Sequence, residues 1–208
     1  AQVYLATGPN QEQVAVKILS PDRVLPEDMK RFDIEYDTLS KMDHANVVRV
    51  YKTGNIRGFP FIVMEYVGGT TLEALIDSWR RSPPANHLEQ VEHILKKLCL
   101  GLQYIHNVGV VHRDLKPSNV LIDEHGDPKL TDFGVVKTHN AQHTQLTMAG
   151  RLVGTVAFMA PELITEDEIG PRTDLYALGA VLYMMLCFRR PIEANSVAGY
   201  LARHLTET

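Results

Sequence analysis

Residues 111–119 read V-H-R-D-L-K-P-S-N, and three of their side chains are of the kind that move protons and phosphates. Asp114 can accept a proton from an attacking hydroxyl. Lys116, two residues on, supplies a fixed positive charge near a transferring phosphate. Asn119, five residues after Asp114, offers a carbonyl oxygen to a hard cation. A second carboxylate follows in the turn Asp132-Phe133-Gly134, well placed as a further Mg²⁺ ligand. A proton acceptor, a fixed cation and two oxygen ligands are what in-line phosphoryl transfer requires.

These residues need elements to hold them. Residues 1–5 and 13–19 alternate as strands joined by a turn at Gly8-Pro9-Asn10, and the second strand ends V-A-V-K-I-L with Lys17 on the face of Ala15. Residues 28–42 read as a helix with Phe32, Leu39 and Met42 among its apolar positions. Residues 47–51 and 59–66 form a hairpin around 54–58, and Gly68-Gly69 breaks the chain before a short helix at 71–79. The helix expected over 87–107 is amphipathic, with Leu88, Val91, Ile94, Leu95, Leu98, Leu102 and Ile105 at helical spacing and Gly109 after its stop. Leu121-Ile122 and Lys129-Leu130 flank a turn and bring Asn119 toward Asp132. Asp174 opens a nearly all-apolar helix over 175–186, where Gly179 would allow close approach, and 195–205 begins another amphipathic one.

The 208 residues, 45% of them hydrophobic, suffice for a sizeable core in one domain or two lobes. A net charge of −4 without a long basic run excludes nucleic acid as a default partner. Two cysteines, Cys99 and Cys187, give no disulfide framework and suit a reducing, cytoplasmic setting. The histidines have no metal spacing; His139 and His143 lie four apart in a polar stretch without helical pattern. The uncharged run 175–188 is too short to span a membrane and reads as a buried helix.

Lysine, glutamate, H-R-D-L-K-P-S-N, D-F-G and A-P-E occur in that order, and on them the chain resembles eukaryotic-like (Hanks-type) Ser/Thr protein kinases; the segments G-R-L-V-G-T-V-A-F-M-A-P-E and S-V-A-G-Y-L-A-R-H-L-T look most like the bacterial ones. The resemblance implies an α+β, two-lobed protein-kinase fold with a β-rich small lobe (1–67, hinge at 65–67) and a helical large lobe (68–208). Relative to the family both ends are truncated: Val3 matches the valine of G-x-G-x-x-G-x-V and Ala1 the third glycine, so the first strand would precede residue 1. The last helices of the large lobe would follow residue 208.

The resemblance also implies roles. Lys17, paired with Glu35, would orient the ATP phosphates; Asp114 would take the hydroxyl proton, with Lys116 by the γ-phosphate. Asn119 and Asp132 would hold Mg²⁺, or Mn²⁺ in its place. Val3, Ala15 and Leu121 would sandwich adenine, Met64 would be the gatekeeper, and the backbone of Glu65 and Val67 would bond the base. Val50, Leu39, Phe133 and His112 match the family's regulatory stack, and Asp174 would anchor the catalytic-loop backbone. Arg113 before Asp114 implies control by activation-loop phosphate, expected at Thr147 first and Thr144 second, with Thr155 in the G-T-V-A-F-M-A-P-E segment. Lys116 and Thr155 point to Ser/Thr acceptors in proteins, with a homodimer for trans-autophosphorylation. Glu162 would pair with an arginine beyond residue 208. The alternative is a catalytically weak nucleotide-binding or scaffolding kinase-like fragment.

Overall fold

The computed structural model describes residues 1–19, 38–133, 156–165 and 167–206. Strands β1 (Gln2–Thr7), β2 (Gln13–Ile18), β3 (Val50–Ile56) and β4 (Phe59–Glu65) form an antiparallel sheet in the order β1-β2-β4-β3. In this register Lys17 lies opposite Val3 and Ile62, and Ala15 opposite Leu5 and Met64. Directly opposed residues share a face, so Val3, Ala15, Lys17 and Met64 project from the same side of the sheet.

The β3–β4 turn is tighter than the sequence suggests. Ile56 pairs with Phe59, and Arg57 and Gly58 both take positive φ (52° and 86°), as a two-residue type I′ hairpin requires. Gly54 is therefore inside β3, opposite Phe61, while Val47 lies outside the hairpin and bridges to Leu130. Residues 38–40 are helical; the rest of the expected 28–42 helix, Met42 apart, falls largely outside the described residues.

A second sheet of β5 (Thr70–Thr71), β6 (Val120–Ile122) and β7 (Pro128–Leu130) follows the Gly68-Gly69 link. Gly69 has φ 122°, and a Cβ there would fall on the Ile122 carbonyl oxygen, so only glycine fits. Helix α1 (Leu72–Arg81) starts where Thr71 Oγ1 accepts the Ala74 amide at 3.2 Å. Helix α2 (His87–Asn107) has the predicted bounds. It stops in a Schellman pattern: Val110 N–H donates to Ile105 O and Gly109 N–H to His106 O, with Gly109 at φ 79°.

Val91, Ile94, Leu98, Leu102 and Ile105 of α2 are buried, but Leu88 is 69% exposed because the stripe begins one turn later than the apolar spacing implies. Helices α3 (Glu162–Thr165), α4 (Pro171–Cys187) and α5 (Val197–Thr206) complete the described chain. Helix α4 begins at Pro171, earlier than expected, which places Asp174 in its first turn. It is not wholly buried: Leu175 and Leu186 face out, and a Cβ on Gly179 would meet no described atom. The close glycine approach is at Gly101 of α2, whose Cβ would sit 3.0 Å from Asn46 O and 3.1 Å from Leu130 Cδ1.

One core joins these pieces, running from Leu39, Met42, Val47 and Val50 through α1, α2 and the second sheet to α4 and Tyr200 of α5. Cys99 and Cys187 are both free and exposed. Among the described residues no helix is long and apolar enough to cross a membrane.

Candidate active site

The loop 111–119 is held from behind by one buried carboxylate. Asp174, 1% exposed, accepts the His112 amide at Oδ2 (2.8 Å) and the Arg113 amide at Oδ1 (2.9 Å), and His106 Nε2 lies 2.7 Å from Oδ2. Arg113 adopts φ 63°, a left-handed conformation that costs a side-chain-bearing residue of order 1–3 kcal/mol. Two charge-assisted hydrogen bonds on consecutive amides are strong enough to hold it there.

His112 is fully buried in this frame. Its Nε2 donates to the Thr131 carbonyl (3.0 Å), because a carbonyl only accepts, and its Nδ1 accepts the Asp114 amide (3.3 Å). Burial pushes its pKa down, so the ring is neutral. It packs on Phe133 with ring centroids 4.9 Å apart, while Leu39 and Val50 lie in the same core. This histidine is a strut and not a base.

The strut sets Asp114 at the end of a small polar cluster. Asp114 Oδ2 accepts from Lys116 Nζ (3.2 Å) and Asn119 Nδ2 (3.0 Å), and Asn119 Nδ2 also reaches the Asp114 carbonyl (2.8 Å). With its amide nitrogen turned to Asp114, Asn119 presents its carbonyl oxygen elsewhere, as a ligand for a hard cation must. Thr131 N–H donates to Asn119 O (3.0 Å), so the β6–β7 hairpin carries Asp132 back beside Asn119. Asp132 has φ 60°, a second left-handed residue at the site.

Across from this cluster stands Lys17, whose Nζ meets Asp132 Oδ1 at 2.6 Å. A second ion pair joins the same two parts: Lys129 Nζ to Glu65 Oε1 at 2.7 Å. Lys129 and Asp132 lie three residues apart on one run, so the four-stranded sheet is tied to it at two points. The Glu65 amide donates to Arg49 O (2.8 Å).

Lys17, Asp114, Lys116, Asn119 and Asp132 are thus linked by side-chain or short backbone contacts. Val3 (60% exposed), Ala15 and Met64 share the Lys17 face, Val67 follows β4, and Leu121 sits in β6 opposite Thr71 and Lys129. Arg113 Nε is buried without a hydrogen-bond partner among the described residues. Glu35, Thr144, Thr147, Thr155, His139 and His143 lie outside the described residues. Sequence reasoning missed His106, whose only signal is its place at the end of α2, and missed the side-chain role of Glu65 with Lys129.

An antiparallel sheet followed by a largely helical region, with this cluster between, is the two-lobed protein-kinase architecture. A family model described as the protein kinase domain matches residues 1–207, and the chain belongs to that family. It is 35% identical to a probable serine/threonine-protein kinase of Streptomyces coelicolor, a match covering 100% of this chain and 31% of that protein. It is 33% identical to the serine/threonine-protein kinase PknB of Mycobacterium leprae (100% and 33%) and 34% identical to PrkC of Bacillus subtilis (99% and 31%). The chain spans about a third of the length of these relatives.

Proposed function

We propose that the chain transfers the γ-phosphoryl group of ATP to serine and threonine hydroxyls of proteins. The observation that carries this reading is the hydrogen-bonded cluster Asp114–Lys116–Asn119, with the Lys17–Asp132 pair facing it. The serine/threonine-protein kinase names of the relatives support the same acceptor class.

Asp114 orients the acceptor hydroxyl and takes its proton on a carboxylate oxygen as the new oxygen–phosphorus bond forms and the bond from the γ-phosphorus to the β,γ-bridging oxygen breaks, releasing ADP. Lys116 holds positive charge beside the γ-phosphate, and Lys17, with Glu35 as its expected partner, orients the α- and β-phosphates. Asn119 Oδ1 and the Asp132 carboxylate suit Mg²⁺ or Mn²⁺, hard cations that take few protein oxygens and share the rest with phosphate. When bound, such a cation neutralises phosphate charge. Val3, Ala15 and Leu121 pack the adenine, Met64 lines its inner edge, and the Glu65 carbonyl and Val67 backbone bond it.

The small lobe is residues 1–67, hinged at 65–67, and the large lobe 68–208. Arg113 Nε, buried without a hydrogen-bond partner among the described residues, supports a phosphate-responsive switch, with Thr147 and then Thr144 as sites, modified in trans within a homodimer. The kinase domain works in the cytoplasm, free or as part of a longer, membrane-anchored chain. Labelled γ-phosphate supplied as Mg²⁺-ATP tests the reading on dephosphorylated casein. Phosphoserine and phosphothreonine are the expected products, and nucleotide binding without transfer contradicts it in favour of a scaffold.

A further inference from the structure

His106 stands in the last turn of α2, and none of the phosphoryl chemistry above uses it. Its side chain is 14% exposed, and its Nε2 lies 2.7 Å from Oδ2 of Asp174, which is 1% exposed. A carboxylate only accepts, so Nε2 carries the hydrogen. The neutral ring in that tautomer and the imidazolium both donate through it. The His106 carbonyl accepts the Gly109 amide at 3.0 Å. One residue therefore fixes the exit turn of α2 with its backbone and the first turn of α4 with its ring.

The other two buried histidines brace backbone. His112 donates to the Thr131 carbonyl. His204, 3% exposed in α5, lies 2.7 Å from both the Val156 carbonyl oxygen and the Tyr176 hydroxyl. His106 instead bonds the side chain on which the Asp114 loop hangs.

Asp174 Oδ2 takes His106 Nε2 and the His112 amide, and Oδ1 takes the Arg113 amide. Gripping two consecutive amides fixes the plane of the carboxylate, and that grip holds Arg113 at φ 63°. The amides belong to the loop being held, so they are no fixed reference for it. Helix α2 is one: Leu98, Leu102 and Ile105 are each at most 2% exposed in the core. Without the His106 bond the carboxylate turns and Arg113 relaxes toward negative φ, where residues with side chains are stable. Asp114, the next residue, then leaves Lys116 and Asn119.

We infer that His106 is a positioning residue for the phosphotransfer step: acting through Asp174, it keeps Arg113 left-handed and the Asp114 carboxylate in place for the acceptor hydroxyl. The inference rests on the phosphotransfer reading. The residues assigned to ATP come from β1, β2, β4, β6 and the stretch after β4, whereas His106 bonds α4. Its loss therefore slows transfer and leaves nucleotide binding alone.

Single-turnover transfer to dephosphorylated casein from saturating Mg²⁺-ATP tests this, with rates expressed per nucleotide-binding molecule and thermal melting as the folding control. His106→Phe keeps a ring and removes the donor. His106→Gln places an N–H at the reach of Nε2, and His106→Asn places one only at the reach of Nδ1. His106→Phe lowers the transfer rate about 10–100-fold, the scale of one hydrogen bond to a charged group. His106→Gln returns to within about threefold of the unsubstituted protein, and His106→Asn does not. The KM values for ATP and casein change less than about twofold, because no contact to either is lost. Amide exchange at His112 and Arg113 quickens in His106→Phe. If His106→Phe does not fold, the comparison of Gln with Asn decides. A lower melting temperature with an unchanged transfer rate, or Gln no better than Asn, overturns the inference and leaves the kinase reading standing. No transfer by the unsubstituted protein overturns that reading and the inference with it.

Discussion

The Lys17 ammonium and the Asp132 carboxylate, 115 residues apart in sequence, meet at 2.6 Å across the site. Each is a counter-charge to the other. Under the proposed function they part in purpose, Lys17 to the phosphates and Asp132 to the cation.

Removing Lys17 therefore strips charge from the phosphate side without emptying the Asp114 cluster. Lys17→Met is expected to lower kcat with saturating Mg²⁺-ATP by about 10²–10³-fold, the scale of losing one preorganised electrostatic contact. Lys17→Arg does not restore it, because a planar fork replaces a compact ammonium. Rates within threefold of the unsubstituted protein, in an assay resolving about threefold, count against this role.

Asp174 places three donors on one carboxylate: the His112 and Arg113 amides and His106 Nε2. Asp174→Asn presents an NH₂ group to at least one of them. Urea unfolding is expected to show a loss of about 2–4 kcal/mol, and phosphotransfer to fall with it as Arg113 relaxes from its left-handed conformation. Unchanged stability would mean that another group holds the loop.

Glu65 and Lys129 tie the end of β4 to β7 at 2.7 Å, with both side chains largely covered. In a double-mutant cycle of Glu65→Gln and Lys129→Met, the coupling in unfolding free energy is expected near 1 kcal/mol. The ATP KM should rise about threefold in either single variant, because the Glu65 carbonyl shifts with the strand end. Full additivity in the cycle contradicts the tie.

Two buried histidines set an acid limit on stability. Burial depresses the pKa of both His112 and His204 below the ordinary imidazole value of 6.5. The unfolded chain then binds more protons than the folded one as pH falls, so stability is full above about pH 6.5 and declines below it. Urea unfolding between pH 7.5 and 5.5 is expected to show losses up to about 1.4 kcal/mol per pH unit per histidine. His204→Phe removes its share of the slope, and an unaltered slope shows that His204 takes no part.

Much of the site was legible because phosphoryl chemistry needs particular residue types in a fixed order along the chain. Asp114, Lys116, Asn119 and Asp132 stood out by spacing and Lys17 by its place in the ordered motif set, and the structure brings their side chains into one cluster. The anchor role of Asp174 came only from the family resemblance, and the structure adds the bonds it makes. What was hidden depends on how helices pack against one another. The ends of α2 and α5 bring His106 to Asp174 and His204 to Val156, and no local spacing reports such distances. Periodicity also overreached, since Leu88 fits the α2 stripe but lies outside the packed turns. Gly179 showed the converse: a glycine in an apolar helix suggested close packing, which instead occurs at Gly101 against Asn46 and Leu130.

The most direct measurement is intact-mass and peptide mass spectrometry after incubation with Mg²⁺-ATP, on the protein and on Asp114→Asn. Nucleotide binding is followed in parallel by the shift in melting temperature. The proposed function predicts phosphate on serine or threonine in the unsubstituted protein. In Asp114→Asn it predicts a fall of at least about 10³-fold in transfer rate with the nucleotide-induced shift retained. Equal phosphate on both proteins would contradict Asp114 as the proton acceptor. A retained melting shift with phosphate on neither would contradict phosphotransfer itself.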